Sequence, residues 1–84
     1  MSAARSAVAE DVMDVISVRF ESAESARTLD LSTRLVDDLG ADSLALVELT
    51  LALEEAFDID IADESIERLR TVADAVEHVE QALV

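Results

Sequence analysis

The chain contains no proline and a single glycine, Gly40. Those two residue types stop helices and turn strands, so a chain nearly free of both must punctuate itself with polar clusters. Helix is then the expectation wherever apolar residues recur at spacings of three and four. Val8, Val12, Val15, Ile16 and Phe20 draw one such stripe over residues 4–20, with Glu10, Asp11 and Asp14 off it. Leu46, Leu49, Leu53 and Phe57 draw a second, on a helix that begins at Asp42 or Ser43 and ends near Phe57. After a connection over 58–62, a short helix is expected over 63–69, with Asp63 as N-cap and Ile66 and Leu69 facing inward. Thr71 then caps a last helix whose stripe is Val72, Val76, Val79 and Leu83.

Residues 21–42 are a long connection rich in Ser, Thr, Glu and Asp. A loop of that length inside a small domain is unusual and often functional. Leu29, Leu31, Leu35, Val36 and Leu39 suggest that it packs over the bundle, with a helical turn over 35–39. Gly40 should end that turn at positive φ, where a side chain is disfavoured. The fold class expected is all-α, one domain over residues 1–84: a bundle of three main helices plus one short helix, with a long first loop.

Size and charge narrow the function. A chain of 84 residues buries only about 60–65% of its unfolded surface, enough for a thin core and not for a deep enzymatic cleft as well. Twenty acidic residues against six basic ones give a net charge of −14. Nucleic acid and anionic membranes are poor partners for that surface, and basic protein surfaces are good ones. Half the residues are apolar and recur at helical spacing, which argues against disorder. No apolar run of about 18 residues exists to span a membrane. The N-terminus lacks the apolar core of a secretory signal, so the cytoplasm is expected.

Catalytic arrangements fail on inspection. There is no cysteine, and the one histidine, His78, lies beside the stripe of the last helix. Nothing local brings Ser43, His78 and an aspartate together as a triad. Asp58, Asp60 and Asp63 suggest a cation loop, but an EF-hand counted from Asp58 would need Gly and Glu where Asp63 and Leu69 stand. No metal site is assigned. Weak divalent binding by the clustered carboxylates stays open, and would show as a higher melting temperature in magnesium or calcium than in matched sodium chloride.

The run Asp37-Asp38-Leu39-Gly40-Ala41-Asp42-Ser43-Leu44 leads straight into an amphipathic helix. A glycine turn there delivers a serine hydroxyl to a helix N-terminus, where unpaired N–H groups and the positive dipole end favour an attached anion. The plainer reading, that Asp42 or Ser43 is an ordinary N-cap, competes with it. The same helix carries a second apolar line, Leu44, Val47 and Leu51, among Glu48, Glu54 and Glu55. Such a line is either a docking surface or packing against the long loop.

The wider segment Asp38-Leu-Gly-Ala-Asp-Ser-Leu-Ala-Leu-Val-Glu-Leu-Thr-Leu-Ala-Leu-Glu-Glu-Ala-Phe-Asp-Ile-Asp-Ile61 closely resembles the acyl carrier protein family. So do the continuation Ile61-Ala-Asp-Glu-Ser65 and the Thr71-Val72 opening of the last helix. The resemblance implies that Ser43 is the attachment point of a covalent 4′-phosphopantetheine arm, installed from coenzyme A by a phosphopantetheinyl transferase. The arm's thiol holds the acyl group, so a chain without cysteine can carry a thioester. It also implies that Asp42, Glu48, Glu54 and Glu55 meet basic patches on acyltransferases, ketosynthases and other acyl-processing enzymes. Leu44, Val47, Leu51 and Ile61 match the family's apolar contact positions, and Leu46, Leu53, Ile66 and Leu69 its acyl-chain lining. A non-catalytic, monomeric carrier for fatty acid or polyketide-type biosynthesis is expected.

Two positions depart from the family's usual pattern. Ala62 stands where many members have proline, which should loosen the turn before the short helix. Ala45 stands where many fatty-acid carriers are acidic, and Ser43-Leu-Ala-Leu46 is similar to carriers of aromatic polyketide pathways. The later Leu-Glu-Glu-Ala-Phe57 stretch is more similar to fatty-acid carriers, so the pathway is open. Peptidyl and aminoacyl carriers commonly show a second glycine where Ala41 stands, which favours acyl cargo. A structural subunit acting by contact alone is the alternative from another class.

Overall fold

The computed structural model describes residues 2–21 and 28–83, with side chains in the first helix from residue 7 onward. The elements are α1 (Ser2–Arg19), α2 (Ser43–Phe57), a 3₁₀ helix (Asp63–Arg68) and α3 (Val72–Leu83). The expected all-α bundle is therefore present: among the described residues there are three α-helices and the short helix, and no strand. α1 packs on both α2 and α3, and the 3₁₀ helix leans on α2.

The helices form where the apolar stripes predict, because each stripe can be covered only by another. Val12 and Ile16 of α1, Leu49 and Leu53 of α2, and Val72, Ala75, Val76 and Val79 of α3 meet in one core. Val8, Val15, Phe20, Leu46 and Phe57 pack against it half-buried. Leu83, read as the end of the α3 stripe, is 48% exposed instead, in the last turn of the helix as described. Thr50 is buried although polar; its hydroxyl donates to the Leu46 carbonyl at 2.9 Å, so its burial leaves no oxygen unsatisfied.

The long loop packs down through part of its apolar residues, while Leu31 and Val36 stay 48% and 51% exposed. Leu35, Leu39 and Ala41 belong to the core. An antiparallel bridge joins Arg34 to Thr71. Around it Leu35 N–H donates to Arg70 O, Val72 N–H to Thr33 O, and Ala73 N–H to Leu31 O, at 2.9–3.0 Å. The loop thus satisfies N–H groups at the start of α3 that no helix can satisfy internally. Thr71 and Asp74 complete that start as a reciprocal cap, Asp74 N–H donating to Thr71 Oγ1 and Thr71 N–H to Asp74 Oδ2. At the loop's turn the Arg34 backbone N–H donates to Asp38 Oδ2 at 2.7 Å and the guanidinium to both carboxylate oxygens. That N–H, then the guanidinium, hold the Asp38 carboxyl below its ordinary value.

One local expectation is corrected. Asp63 does not cap the short helix. The capping position is Ala62, with no side-chain hydrogen bond, and the segment winds as 3₁₀ with Ile66 only half-buried. At Ala62, where many members have proline, φ is −63°, the value a proline ring would impose. Ala62→Pro should therefore raise stability by about 0.4–1 kcal/mol, through a less flexible unfolded chain. Thermal unfolding followed by circular dichroism checks this; a fall in melting temperature would mean that the Ala62 N–H is needed.

Candidate functional site

Ser43 is exposed and is the first residue of α2. Its position follows from the residues before it. Gly40 adopts φ +73°, as its place in the sequence predicts. Its N–H donates to Val36 O and that of Ala41 to Leu35 O, closing the helical turn that precedes it. Leu39 and Ala41 are buried, 6% and 2% exposed, and pin both sides of the glycine to the core. The chain then emerges at Asp42 and Ser43.

The choice of cap between those two is resolved in favour of Asp42. Its backbone is extended, and its Oδ1 accepts the Ala45 N–H at 2.8 Å while its carbonyl accepts the Leu46 N–H. The Ser43 hydroxyl is thereby spared from capping. Those capping bonds also leave the N–H groups of Ser43 and Leu44, at the positive end of the α2 dipole, for an anion attached to Ser43. Asp42→Ala should cost about 1 kcal/mol through the lost cap, and Asp42→Asn much less. Equal melting temperatures for the parent and the alanine variant would remove the cap from this account.

A groove of about 540 Å³ opens at Ser43, with Leu46, Val47 and Ile66 along it and Asp63, Glu64 and Glu67 at its rim. Leu46, Ile66 and Glu67 also line a second pocket of about 430 Å³, where Leu69 and Val36 add apolar surface. The two pockets share Leu46, Ile66 and Glu67, so an apolar path runs from the serine along the seam between α2 and the 3₁₀ helix. Three of the four residues expected to line an acyl chain, Leu46, Ile66 and Leu69, are on it. Leu53 is not: it is fully buried in the helix core and borders neither pocket.

The expected docking residues also separate. Leu44, Val47 and Leu51 are 65%, 40% and 56% exposed, an apolar line in water beside Glu48 and Glu55. Ile61 does not join it. It is 8% exposed in the core, and its N–H donates to Glu54 Oε2 at 2.8 Å. Glu54 is therefore half-buried and holds the connection after α2. Asp58, in that connection, adopts the left-handed conformation at φ 54° and ends α2, its N–H donating to Glu54 O. Glu48 is paired with Arg19 of α1 at 3.3 Å, a contact across the bundle that no sequence spacing announces.

The one histidine does not reach Ser43, and the ionisable side chains that share its groove are the carboxylates Asp63, Glu64 and Glu67. His78 lies on a separate pocket with Asp60, Ile61 and Ser65, and its Nδ1 is 2.7 Å from the Asp74 carbonyl. Among the described residues no three His, Cys, Asp or Glu side chains gather closely enough to hold a metal ion. Also among them, no helix is long and apolar enough to cross a membrane.

Comparison with known proteins agrees with this geometry. Residues 8–79 match the family model described as a phosphopantetheine attachment site. An acyl carrier protein of Campylobacter concisus is 41% identical over 75 residues, covering 89% of this chain and 95% of that protein. One of Campylobacter curvus is 40% identical over the same shares. An acyl carrier protein of Desulforapulum autotrophicum is 67% identical over 45 residues, covering 54% of this chain and 58% of that protein.

Proposed function

The chain belongs to the acyl carrier protein family, and from that premise we propose that it carries acyl groups as thioesters on a 4′-phosphopantetheine arm at Ser43. Covalently attached phosphopantetheine is the family's cofactor. The observation that carries the assignment to Ser43 is the division of labour at the start of α2: Asp42 caps, and Ser43 is exposed with its hydroxyl uncommitted. The residues present suit the group. A phosphodiester on Ser43 Oγ would meet the first N–H groups of α2, and the groove beginning at Ser43 is of a size to take an arm or the start of its cargo.

In this reading Ser43 Oγ forms a bond to phosphorus and adenosine 3′,5′-bisphosphate leaves from coenzyme A. The serine proton passes to a base of the phosphopantetheinyl transferase. The bound arm supplies the thiol that holds the acyl group. Leu46, Ile66 and Leu69 would shelter an apolar chain from water, worth about 0.8 kcal/mol for each methylene buried. Leu44, Val47 and Leu51, with Asp42, Glu48 and Glu55, would face the basic docking patches of acyltransferases and ketosynthases. Individually weak exposed ion pairs favour fast encounter and quick release, as a shuttle requires. Glu54 and Ile61 belong to the support of that face. One domain over 1–84, acting as a monomer in the cytoplasm, completes the proposal. Fatty acid and polyketide-type pathways fit equally.

Intact mass spectrometry before and after incubation with coenzyme A and a broad-specificity transferase tests the reading, with peptide mapping to place the modification. One phosphopantetheine on the peptide holding Ser43 supports it. A well-folded protein that gains nothing would promote the contact-only alternative. Loading trials with malonyl-coenzyme A and a transacylase, against an amino-acid adenylating enzyme, separate acyl from aminoacyl cargo.

A further inference from the structure

α1 and α2 leave between their outer edges a groove of about 620 Å³, on a different side of α2 from the path that begins at Ser43. Its apolar floor includes Val15, Val18 and Leu51. Val18 and Leu51, on facing helices, are 70% and 56% exposed. Asp14, Glu48 and Glu55 stand around that floor, and Arg19 is the one cation among the residues lining it. Arg19 Nη2 donates to Glu48 Oε1 at 3.3 Å, with both side chains partly exposed.

We propose that this groove seats a cationic amphipathic helix of a partner enzyme, and that Arg19 is a built-in competitor for Glu48 that the partner's lysine or arginine must displace. The proposal rests on the carrier reading and deepens it, by extending the docking surface from α2 onto α1. Charge complementarity selects the occupant. An apolar floor flanked by three carboxylates matches a helix with leucines at spacings of three and four and basic residues beside them. An anionic segment would meet like charge on both sides. The competitor role comes from the geometry of the pair. Because it is open to water it is weak, so Arg19 can leave. While it stays, Glu48 is a poorer ligand for an incoming cation. Arg19 therefore sets how basic a partner must be, a selection on partners that the α2 residues alone would not impose.

Transferase loading of Ser43 is first measured on the parent, Arg19→Gln, Glu48→Gln and the double variant. Failure there in the parent would count against the carrier reading itself, independently of the groove and its occupant. Each full-length, isotope-labelled protein is then titrated with a synthetic helical leucine–lysine peptide by NMR, with a leucine–glutamate peptide as control. The expected result is amide shifts at Val15, Val18 and Leu51, and binding about two- to fivefold tighter for Arg19→Gln at low salt. The gain should fade at high salt and be absent when Glu48 is already glutamine. Unchanged or weaker binding by Arg19→Gln at low salt would overturn the proposal. So would shifts confined to Leu44 and Val47, or equal binding of the acidic control. Shifts at Val18 on raising protein concentration alone would make a second copy the occupant and overturn it too.

Discussion

Ser43→Ala is expected to gain no mass on incubation with coenzyme A and a transferase that fully modifies the parent protein. The loss is complete because the hydroxyl oxygen itself becomes part of the phosphodiester, and no neighbouring group can replace a bond that is not made. The same variant should fold as well as the parent, within about 0.5 kcal/mol. Ser43 is exposed, and the bond that starts α2 comes from Asp42. Alanine also suits a helix better than serine. A modified alanine variant would move the attachment to another hydroxyl. A variant that fails to fold would show that Ser43 has a structural part that its exposure denies.

The second large effect is on stability. Leu49 is 0% exposed at the centre of α2, while Leu51, two residues on, is 56% exposed. Leu49→Ala should cost about 2–5 kcal/mol, from lost transfer energy and the cavity left behind. A domain this small has little more than the lower part of the usual range of about 5–15 kcal/mol to lose. At roughly 4–8 °C for each kcal/mol, the melting temperature should fall by about 10 °C or more. Leu51→Ala should change it by no more than a few degrees. Thermal unfolding of the two variants side by side is the check, and comparable losses would mean that Leu51 is covered in solution.

Much of this was legible in the residues. Stripes at helical spacing place α1, α2 and α3, because an apolar face has to be covered whatever covers it. Gly40 announces its own positive φ, and the residues around Ser43 announce the site. What periodicity cannot provide is the partner of a particular group. Glu54 reads as a surface carboxylate until the chain after α2 folds back and presents the Ile61 N–H to it. Leu53 and Leu46 share a stripe, yet the 3₁₀ helix leaves one on a groove while the core closes over the other. Asp58 takes the left-handed conformation that a sequence reader would reserve for glycine, as a short polar side chain sometimes can. Arg19 and Glu48 meet only because α1 and α2 pack edge to edge.

The bridge between Arg34 and Thr71 has a consequence for how the molecule comes apart. The bonds between Leu31 and Ala73, Thr33 and Val72, and Leu35 and Arg70 join segments far apart along the chain. Contacts of that kind carry a loop-closure entropy that is lost once for the whole set, so the first bond to form lowers the cost of the rest. The loop and the start of α3 are accordingly expected to open and close as one cooperative unit. The loop hands the chain to Ala41, buried just ahead of Ser43, so the serine is mounted on one of the fold's long-range fastenings. Tension on anything tethered to Ser43 would be borne by the bundle as a whole.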